Sequence, residues 1–167
     1  MEEIEISFAS IEYAESYNQA LCQVARERKF LSTVDGFSLE SSLGFVTYIC
    51  QANLAQYYLL NAHKVVVGWC DIIPKSVPEF SHVGVLGIGI IPEYRGLGLG
   101  KKLIEKTIAH ALLHNHVEKI ELVVFDDNTP AISLYQKLGF FEEGKRLKVR
   151  KLDGHYQNEL LMGKFIA

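Results

Sequence analysis

The 167-residue sequence has few of the features that mark secreted, membrane-spanning or nucleic-acid-binding chains. Its three cysteines are odd in number and lie in apolar or helical surroundings, which indicates buried thiols in a reducing compartment rather than a disulfide framework. No apolar run approaches the length of a membrane span, and the N-terminal segment is acidic where a signal peptide would be basic. The net charge is −3 with no long run of one sign, so we expect neither nucleic acid nor a membrane as a partner.

The residues that are present suit a single cytoplasmic domain covering residues 1–167, because 49% of them are apolar and can fill one core. Periodicity and turn signals predict four helices, at residues 11–29, 39–54, 98–115 and 129–138. They also predict seven strands, at residues 4–9, 56–61, 65–73, 83–91, 118–125, 140–150 and 156–165. Ser38 is the expected N-cap of the second helix. Antiparallel pairs at both ends, with a strand–helix–strand unit between them, predict a mixed α+β fold.

A glycine-rich loop joins the predicted strand at 83–91 to the helix that follows it. Gly96, Gly98 and Gly100 stand at alternate positions, where they let the backbone turn tightly with its N–H groups pointing the same way. The helix adds its own unpaired N–H donors and the positive end of its dipole. This combination predicts a binding site for an anion, most often a phosphate or pyrophosphate.

Two common phosphate-binding patterns do not fit this loop. A Walker loop would need glycine where Arg95 stands and a serine or threonine where Lys102 stands. A dinucleotide fingerprint that starts at Gly96 or Gly98 lacks its last glycine. The pattern that does fit is [QR]-x-x-G-x-[GA], read from Arg95 to Gly100, and it resembles the coenzyme A pyrophosphate loop of the GNAT superfamily of acyl-CoA N-acyltransferases.

A second motif strengthens this resemblance. Residues 128–140 match the pattern N-x-x-A-x-x-x-Y-x-x-x-G-F of the same superfamily, about thirty residues after the glycine loop. The local chemistry agrees, because Asn128 is a good helix N-cap, Pro130 suits the first turn and Gly139 is a natural stop. One face of this helix would carry Ala131, Leu134, Tyr135 and Leu138.

The resemblance implies a fold and a reaction. The fold is a central, mostly antiparallel, twisted sheet of about seven strands with helices on both faces, in which two splayed strands bind coenzyme A. The reaction is direct transfer of an acetyl group from the co-substrate acetyl-CoA to the primary amine of an amino acid, a small amine or a protein N-terminus. No metal is implied, and a homodimer is compatible with the family. The alternative is a non-catalytic acyl-CoA-binding sensor or scaffold.

The resemblance also assigns site residues. Tyr135 matches the tyrosine that donates a proton to the coenzyme sulfur, and Asn128 matches an asparagine that contacts the coenzyme near its pantetheine amides. Backbone groups of residues 88–90 would hold the pantetheine arm and polarise the thioester carbonyl. The full set of expected coenzyme-binding residues is Ile88, Gly89, Ile90, Arg95, Gly96, Leu97, Gly98, Leu99, Gly100, Lys101, Asn128, Ala131 and Tyr135.

The general base is the least determined part of the site. Many relatives carry a glutamate in the strand before the loop, but the corresponding position here is Gly84. His82 is a candidate because it shares a strand face with that position and because the imidazole group as a class suits base chemistry near neutral pH. It is displaced by about 6.5 Å, so it would have to act through a water molecule. Glu79 is a further candidate, and water with a positioned backbone carbonyl is the alternative to both.

Overall fold

The structure is a computed structural model that describes residues 2–167. Its strands are β1 (Glu5–Phe8), β2 (Ala55–Leu60), β3 (Val66–Pro74), β4 (Val83–Ile90), β5 (Lys119–Phe125), β6 (Phe141–Leu152) and β7 (His155–Phe165). Its helices are α1 (Ala14–Arg26), α2 (Leu39–Ala52), α3 (Leu99–Asn115) and α4 (Thr129–Lys137). The strands form one sheet in the order β1-β2-β3-β4-β5-β7-β6. Every neighbouring pair is antiparallel except β4 and β5, which are parallel.

Helices cover both faces of this sheet, and each face has its own apolar core. On one face α1 and α2 pack on the central strands, and the buried residues include Tyr17, Val24, Ile49, Tyr58 and Trp69. On the other face α3 and α4 pack on the same strands, and the buried residues include Cys70, Ile72, Leu103, Ile104, Ile120 and Tyr135. Successive strand residues point to opposite faces, so neighbours such as Trp69 and Cys70 contribute to different cores.

The helix ends follow the local chemistry of the sequence. The Ser38 side chain accepts a hydrogen bond from the Ser41 amide at 3.1 Å, which confirms it as the N-cap of α2. Asn53 closes the same helix in the left-handed conformation (φ 49°). At the N-terminus of α4, the Asn128 side chain accepts a hydrogen bond from the Ala131 amide at 3.4 Å. These short-range bonds explain why the predicted helices lie close to the observed ones.

The parallel pair β4–β5 is open over most of its length. The two strands are in register only at Val83–Lys119, Gly84–Ile120 and Val85–Glu121. Beyond that point β4 stays paired with β3 as far as Ile90, while β5 stays paired with β7 as far as Phe125. The strands therefore diverge, and the edge of β4 from Leu86 onward faces a gap. This splay is the feature that positions the candidate site.

The predicted fold class is confirmed, with small differences at element ends. The first predicted helix begins as a 3₁₀ turn at Ile11–Tyr13, and α1 ends at Arg26 because Arg28 adopts a positive φ of 61°. The predicted loop at 74–81 contains a 3₁₀ turn, Pro78–Phe80. Within residues 2–167, no helix combines the length and the apolar character that crossing a bilayer requires.

Candidate active site

A cleft with a volume of about 700 Å³ occupies the gap between β4 and β5 and extends along the glycine loop. The C-terminal part of β4 forms one wall, and the end of β5 with the N-terminal half of α4 forms the other. The α1–α2 connection adds Phe30, Leu31 and Ser32 at the rim. Among the predicted coenzyme-binding residues, the lining includes Ile88, Gly89, Ile90, Arg95, Gly96, Gly98, Leu99, Gly100, Lys101, Asn128, Ala131 and Tyr135.

The glycine loop presents unpaired backbone amides at one end of this cleft. Gly96 and Gly98 have positive φ values of 73° and 74°, a conformation that favours glycine, and a side chain at either position would meet open space. Within residues 2–167, no acceptor receives a hydrogen bond from the amides of Gly96, Leu97 or Gly98. Gly98 is also the N-cap of α3 and provides no side-chain cap, so the first-turn amides of the helix stay free. Such a loop fits a phosphate or pyrophosphate group.

Gly100 has a different role from the two glycines before it. A Cβ atom there would lie 3.2 Å from the Leu134 side chain, so the missing side chain lets α3 pack closely on α4. Leu97 has a side chain that is 59% exposed and lies outside the cleft lining, so any part it takes in binding would come through its backbone.

The Arg95 side chain is held by the protein itself. Its Nε donates to the Ile90 carbonyl at 2.7 Å, and its guanidinium donates to both carboxylate oxygens of Glu27 at 2.8 and 2.5 Å. The same guanidinium lies 4.9 Å from the centre of the Phe30 ring. Arg95 therefore fastens the start of the loop to β4 and to the end of α1, and its charge is largely neutralised there.

The β4 glycines allow side chains of β3 to approach its backbone closely. Gly89 faces Trp69, whose indole occupies the space that a Cβ would need, and Gly87 faces Asp71. The register between β3 and β4 runs without a shift, so close approach, and not a bulge, accounts for these glycines. At Gly84, a Cβ atom would lie 2.5 Å from the Ile72 side chain, so a larger residue there would require Ile72 to move.

Tyr135 lies on α4 at the α3–α4 face of the cleft. Its side chain is largely buried and packs edge-to-face on Phe140, with ring centres 5.8 Å apart. No residue in 2–167 hydrogen-bonds to its hydroxyl, and the structure has no fully buried side-chain oxygen without a partner, so this hydroxyl opens to the cleft. Burial raises the pKa of Tyr135 well above its ordinary value, with the nearby Cys70 adding to the rise. The phenol therefore stays protonated at neutral pH.

His82 and Glu79 lie outside the cleft. His82 is exposed at the start of β4, where its carbonyl accepts hydrogen bonds from the amides of Glu118 and Lys119 at 2.8 and 3.2 Å. That is the closed end of the β4–β5 pair. Gly87 lies five residues after His82, or about 16 Å along the strand. Glu79 is exposed in the turn before β4. The structure thus brings neither candidate base to the cleft. The distance of about 16 Å from His82 to Gly87 is also longer than the expected displacement of about 6.5 Å, which one water molecule would have bridged.

Asp71 is a titratable residue that sequence reasoning missed. It lies on β3 directly opposite Gly87, and its Oδ1 would be 3.2 Å from a Cβ atom at that glycine. Burial raises the pKa of its carboxyl to about 7, an effect that a hydrogen bond from Gln56 reduces. The signal in the sequence was a lone carboxylate within the apolar strand Val66–Pro74.

An open sheet that parts at its parallel pair, beside a glycine loop with free amides, defines the class of acyl-CoA N-acyltransferases. The sequence model of the acetyltransferase (GNAT) family matches residues 35–140, and the chain belongs to this family.

Three similar proteins illustrate the relationship. The L-amino acid N-acetyltransferase AaaT of Escherichia coli K12 is 34% identical over 99 residues, which are 59% of this chain and 61% of that protein. The crystal structure of a GNAT-family acetyltransferase from Streptococcus pneumoniae is similar with a TM-score of 0.90 at 28% identity, covering 98% of this chain and 100% of the other. The structure of yncA from Salmonella typhimurium, solved with acetyl-CoA, has a TM-score of 0.89 at 16% identity, covering 98% and 94% of the two chains. The chain thus spans less than two thirds of the curated relative AaaT.

Proposed function

We propose that this protein is an acetyltransferase, with residues 1–167 acting as one domain, that moves the acetyl group of acetyl-CoA to a primary amine. The observation that carries the proposal is the continuity of the cleft. It runs from the free amides of the glycine loop, along the unpaired edge of β4, to the open hydroxyl of Tyr135. An anion site, an extended polar edge and a proton donor thus follow one another in the order that a pyrophosphate, a pantetheine arm and a thioester require.

Each part of the cleft has a defined role in this proposal. The amides of Gly96 to Gly98 and the N-terminus of α3 bind the pyrophosphate. The free edge of β4 near residues 88–90 pairs with the amides of the pantetheine arm, in the manner of an added strand. Asn128 uses its Oδ1 to cap α4, which leaves its amide nitrogen available to the coenzyme.

Tyr135 protonates the leaving group. The neutral amine attacks the thioester carbonyl and forms the C–N bond, the C–S bond breaks, and the coenzyme thiolate takes the proton of the Tyr135 hydroxyl. The attacking nitrogen carries two protons and gives one of them to the Tyr135 phenolate, which returns the phenol to its neutral form. Because burial favours the neutral phenol, the donor is in the right protonation state before each turnover.

The acceptor is an amino acid, a small amine or a peptide N-terminus. A second cavity of about 590 Å³ is lined, like the cleft, by Phe30 and Asn128, and it reaches the β6–β7 turn at Asp153. Its rim carries both charges, including the ion pair between Arg28 and Asp153 at 2.8 Å. Such a rim suits the polar part of the acceptor that lies away from its reacting amine, and the similarity to an L-amino acid N-acetyltransferase supports the same class.

The test is release of coenzyme A thiol from acetyl-CoA in the presence of the twenty L-amino acids, spermidine or glycyl peptides. We expect one or more of these amines to accelerate thiol release well above the rate without amine. Binding of acetyl-CoA with no acceleration by any amine would support the sensor alternative. Absence of both binding and turnover would refute the proposal.

A further inference from the structure

The α1–α2 face of the sheet has an open groove beside the splay. Strand alternation and register place Asp71, Val85, Gly87 and Val123 on this face. Val85 is 42% exposed and Val123 is 47% exposed, so the helices leave these two residues uncovered. Tyr135 approaches the splay from the opposite face. A thioester held in the gap would therefore have its leaving group on the Tyr135 side and the groove on the other.

Asp71 is the unpaired carboxylate of this groove. Its Oδ2 accepts a hydrogen bond from Gln56 Nε2 at 3.4 Å, and the Gln56 carbonyl in turn accepts one from the Tyr58 hydroxyl at 3.0 Å. Its Oδ1 accepts none within residues 2–167. Since residues 2–167 contain no fully buried side-chain oxygen without a partner, Oδ1 keeps access to solvent. This oxygen lies at Gly87, two residues beyond the last β4–β5 register pair.

The other titratable groups around Asp71 leave its charge uncompensated. Tyr17 of α1 and Tyr58 of β2 face it, and both have pKa values raised by burial. Among the charged residues elsewhere on this face, Lys75, Lys119 and Glu121 pair with one another at 2.6 and 3.1 Å, and Glu143 also pairs with Lys119 at 2.7 Å. Arg146 pairs with Glu159 at 2.5 Å. No cation within residues 2–167 forms an ion pair with Asp71.

We propose that Asp71 binds the ammonium group of the acceptor in this groove and removes its proton before attack. The proposal rests on the acetyltransferase function and adds the general base that the sequence did not reveal. It also limits the class of acceptors to primary amines that are protonated in solution, because their positive charge balances the negative charge of the buried Asp71 carboxylate.

The proton balance closes with the groups present. The ammonium of the acceptor gives one proton to the Asp71 carboxylate and becomes the neutral amine, which forms the C–N bond at the thioester carbonyl. The C–S bond breaks, and the thiolate takes the Tyr135 proton. The amide nitrogen loses its second proton to the Tyr135 phenolate, and Asp71 releases its proton to solvent. The net products are the acetamide, coenzyme A thiol and one proton.

The protonation behaviour of Asp71 suits this role. With its pKa raised to about 7 by burial, the carboxyl is ionised in a large fraction of molecules near neutral pH and still retains a proton readily. An ordinary aspartate would be a much weaker base. The geometry is consistent with this, because Gly87 has no side chain to cover Oδ1, whereas a Cβ atom at that position would lie 3.2 Å from it.

The experiment compares Asp71→Asn with the matched variant Glu15→Gln, which removes the same charge from an exposed position of α1. The probe is the fastest acceptor among the L-amino acids, spermidine and glycyl peptides. We expect Asp71→Asn to lower kcat/KM by about 10²-fold at pH 7.5, with acetyl-CoA affinity unchanged. The wild-type limb that rises through about pH 7 should be absent, and the deficit should shrink as pH approaches the pKa of the amine.

A second variant tests the geometry without removing the carboxylate. Gly87→Ala places a Cβ against Oδ1 and should raise KM for the amine, whereas Gly44→Ala on α2, where a Cβ meets nothing, should not. If the wild type turns over the probe while Asp71→Asn keeps its kcat/KM within about twofold and retains the limb, Asp71 is not the base. If the wild type turns over no amine, the acetyltransferase proposal itself fails.

Discussion

Replacement of Asp71 by asparagine should stabilise the protein while it impairs turnover. A carboxyl that burial makes harder to ionise destabilises the folded state wherever the unfolded chain is ionised. Asparagine has nearly the same shape, keeps an oxygen that can accept from Gln56, and carries no charge to desolvate. The free energy of unfolding of the variant should therefore exceed that of the wild type at neutral and alkaline pH.

The size of this effect follows from the pKa. The rise from 3.8 to about 7 corresponds to an upper limit of about 4 kcal/mol at about 1.4 kcal/mol for each tenfold change in proton affinity. Solvent access to Oδ1 reduces the penalty, so we expect a gain of about 1–3 kcal/mol at pH 8. The gain should decrease as pH falls toward 4 and vanish below about pH 3, where the wild-type carboxyl is protonated in both states. Between these limits the wild type loses stability relative to the variant as pH rises.

The assay is urea unfolding of both proteins at intervals from pH 4 to pH 9, with Glu15→Gln as the control. The carboxyls with lowered pKa values, Glu121 and Asp126, change the stability of all three proteins alike and cancel in the differences. A stability difference between Asp71→Asn and wild type that is independent of pH, or that decreases as pH rises, would refute the reasoning. It would mean that Asp71 ionises as an ordinary carboxyl.

Three further predictions concern the cleft. Gly98→Val should weaken acetyl-CoA binding by tenfold or more in calorimetry, because Gly98 has a φ of 74° and the new valine side chain would enter the open space at the loop. Gly154→Val, at a φ of 80° in the β6–β7 turn, is the matched control. Equal acetyl-CoA affinities of the two variants would contradict the loop assignment. Tyr135→Phe should lower kcat by about 10²-fold with little change in coenzyme affinity, and turnover within about twofold of wild type would assign the proton donor elsewhere. His82→Ala tests the base suggested by the sequence. Since His82 lies at the closed end of the β4–β5 pair, the increase of kcat/KM with pH should persist in this variant. Loss of that increase would support proton transfer through His82 and a water molecule.

Much of the fold could be predicted from the sequence because its signals are local. Alternation and helical periodicity located each strand and helix to within a few residues. Ser38 and Asn128 cap their helices through bonds to amides three residues away, which is why a short stretch of sequence identified them. The glycine loop was recognisable for the same reason, since the positive φ values of Gly96 and Gly98 are properties of single residues.

The tertiary structure decided what depends on distant parts of the chain. Arg95 is held by Glu27, 68 residues away in sequence, so its guanidinium supports the loop where the motif alone suggested coenzyme contact. Register places His82 at the closed end of the β4–β5 pair and Asp71 opposite Gly87 near the open end. Strand alternation shows which residues share a face, but it does not show which neighbouring strand lies beside them or where two strands part. Those relations depend on packing and pairing across the whole sheet, and here they select the carboxylate that lies beside the site.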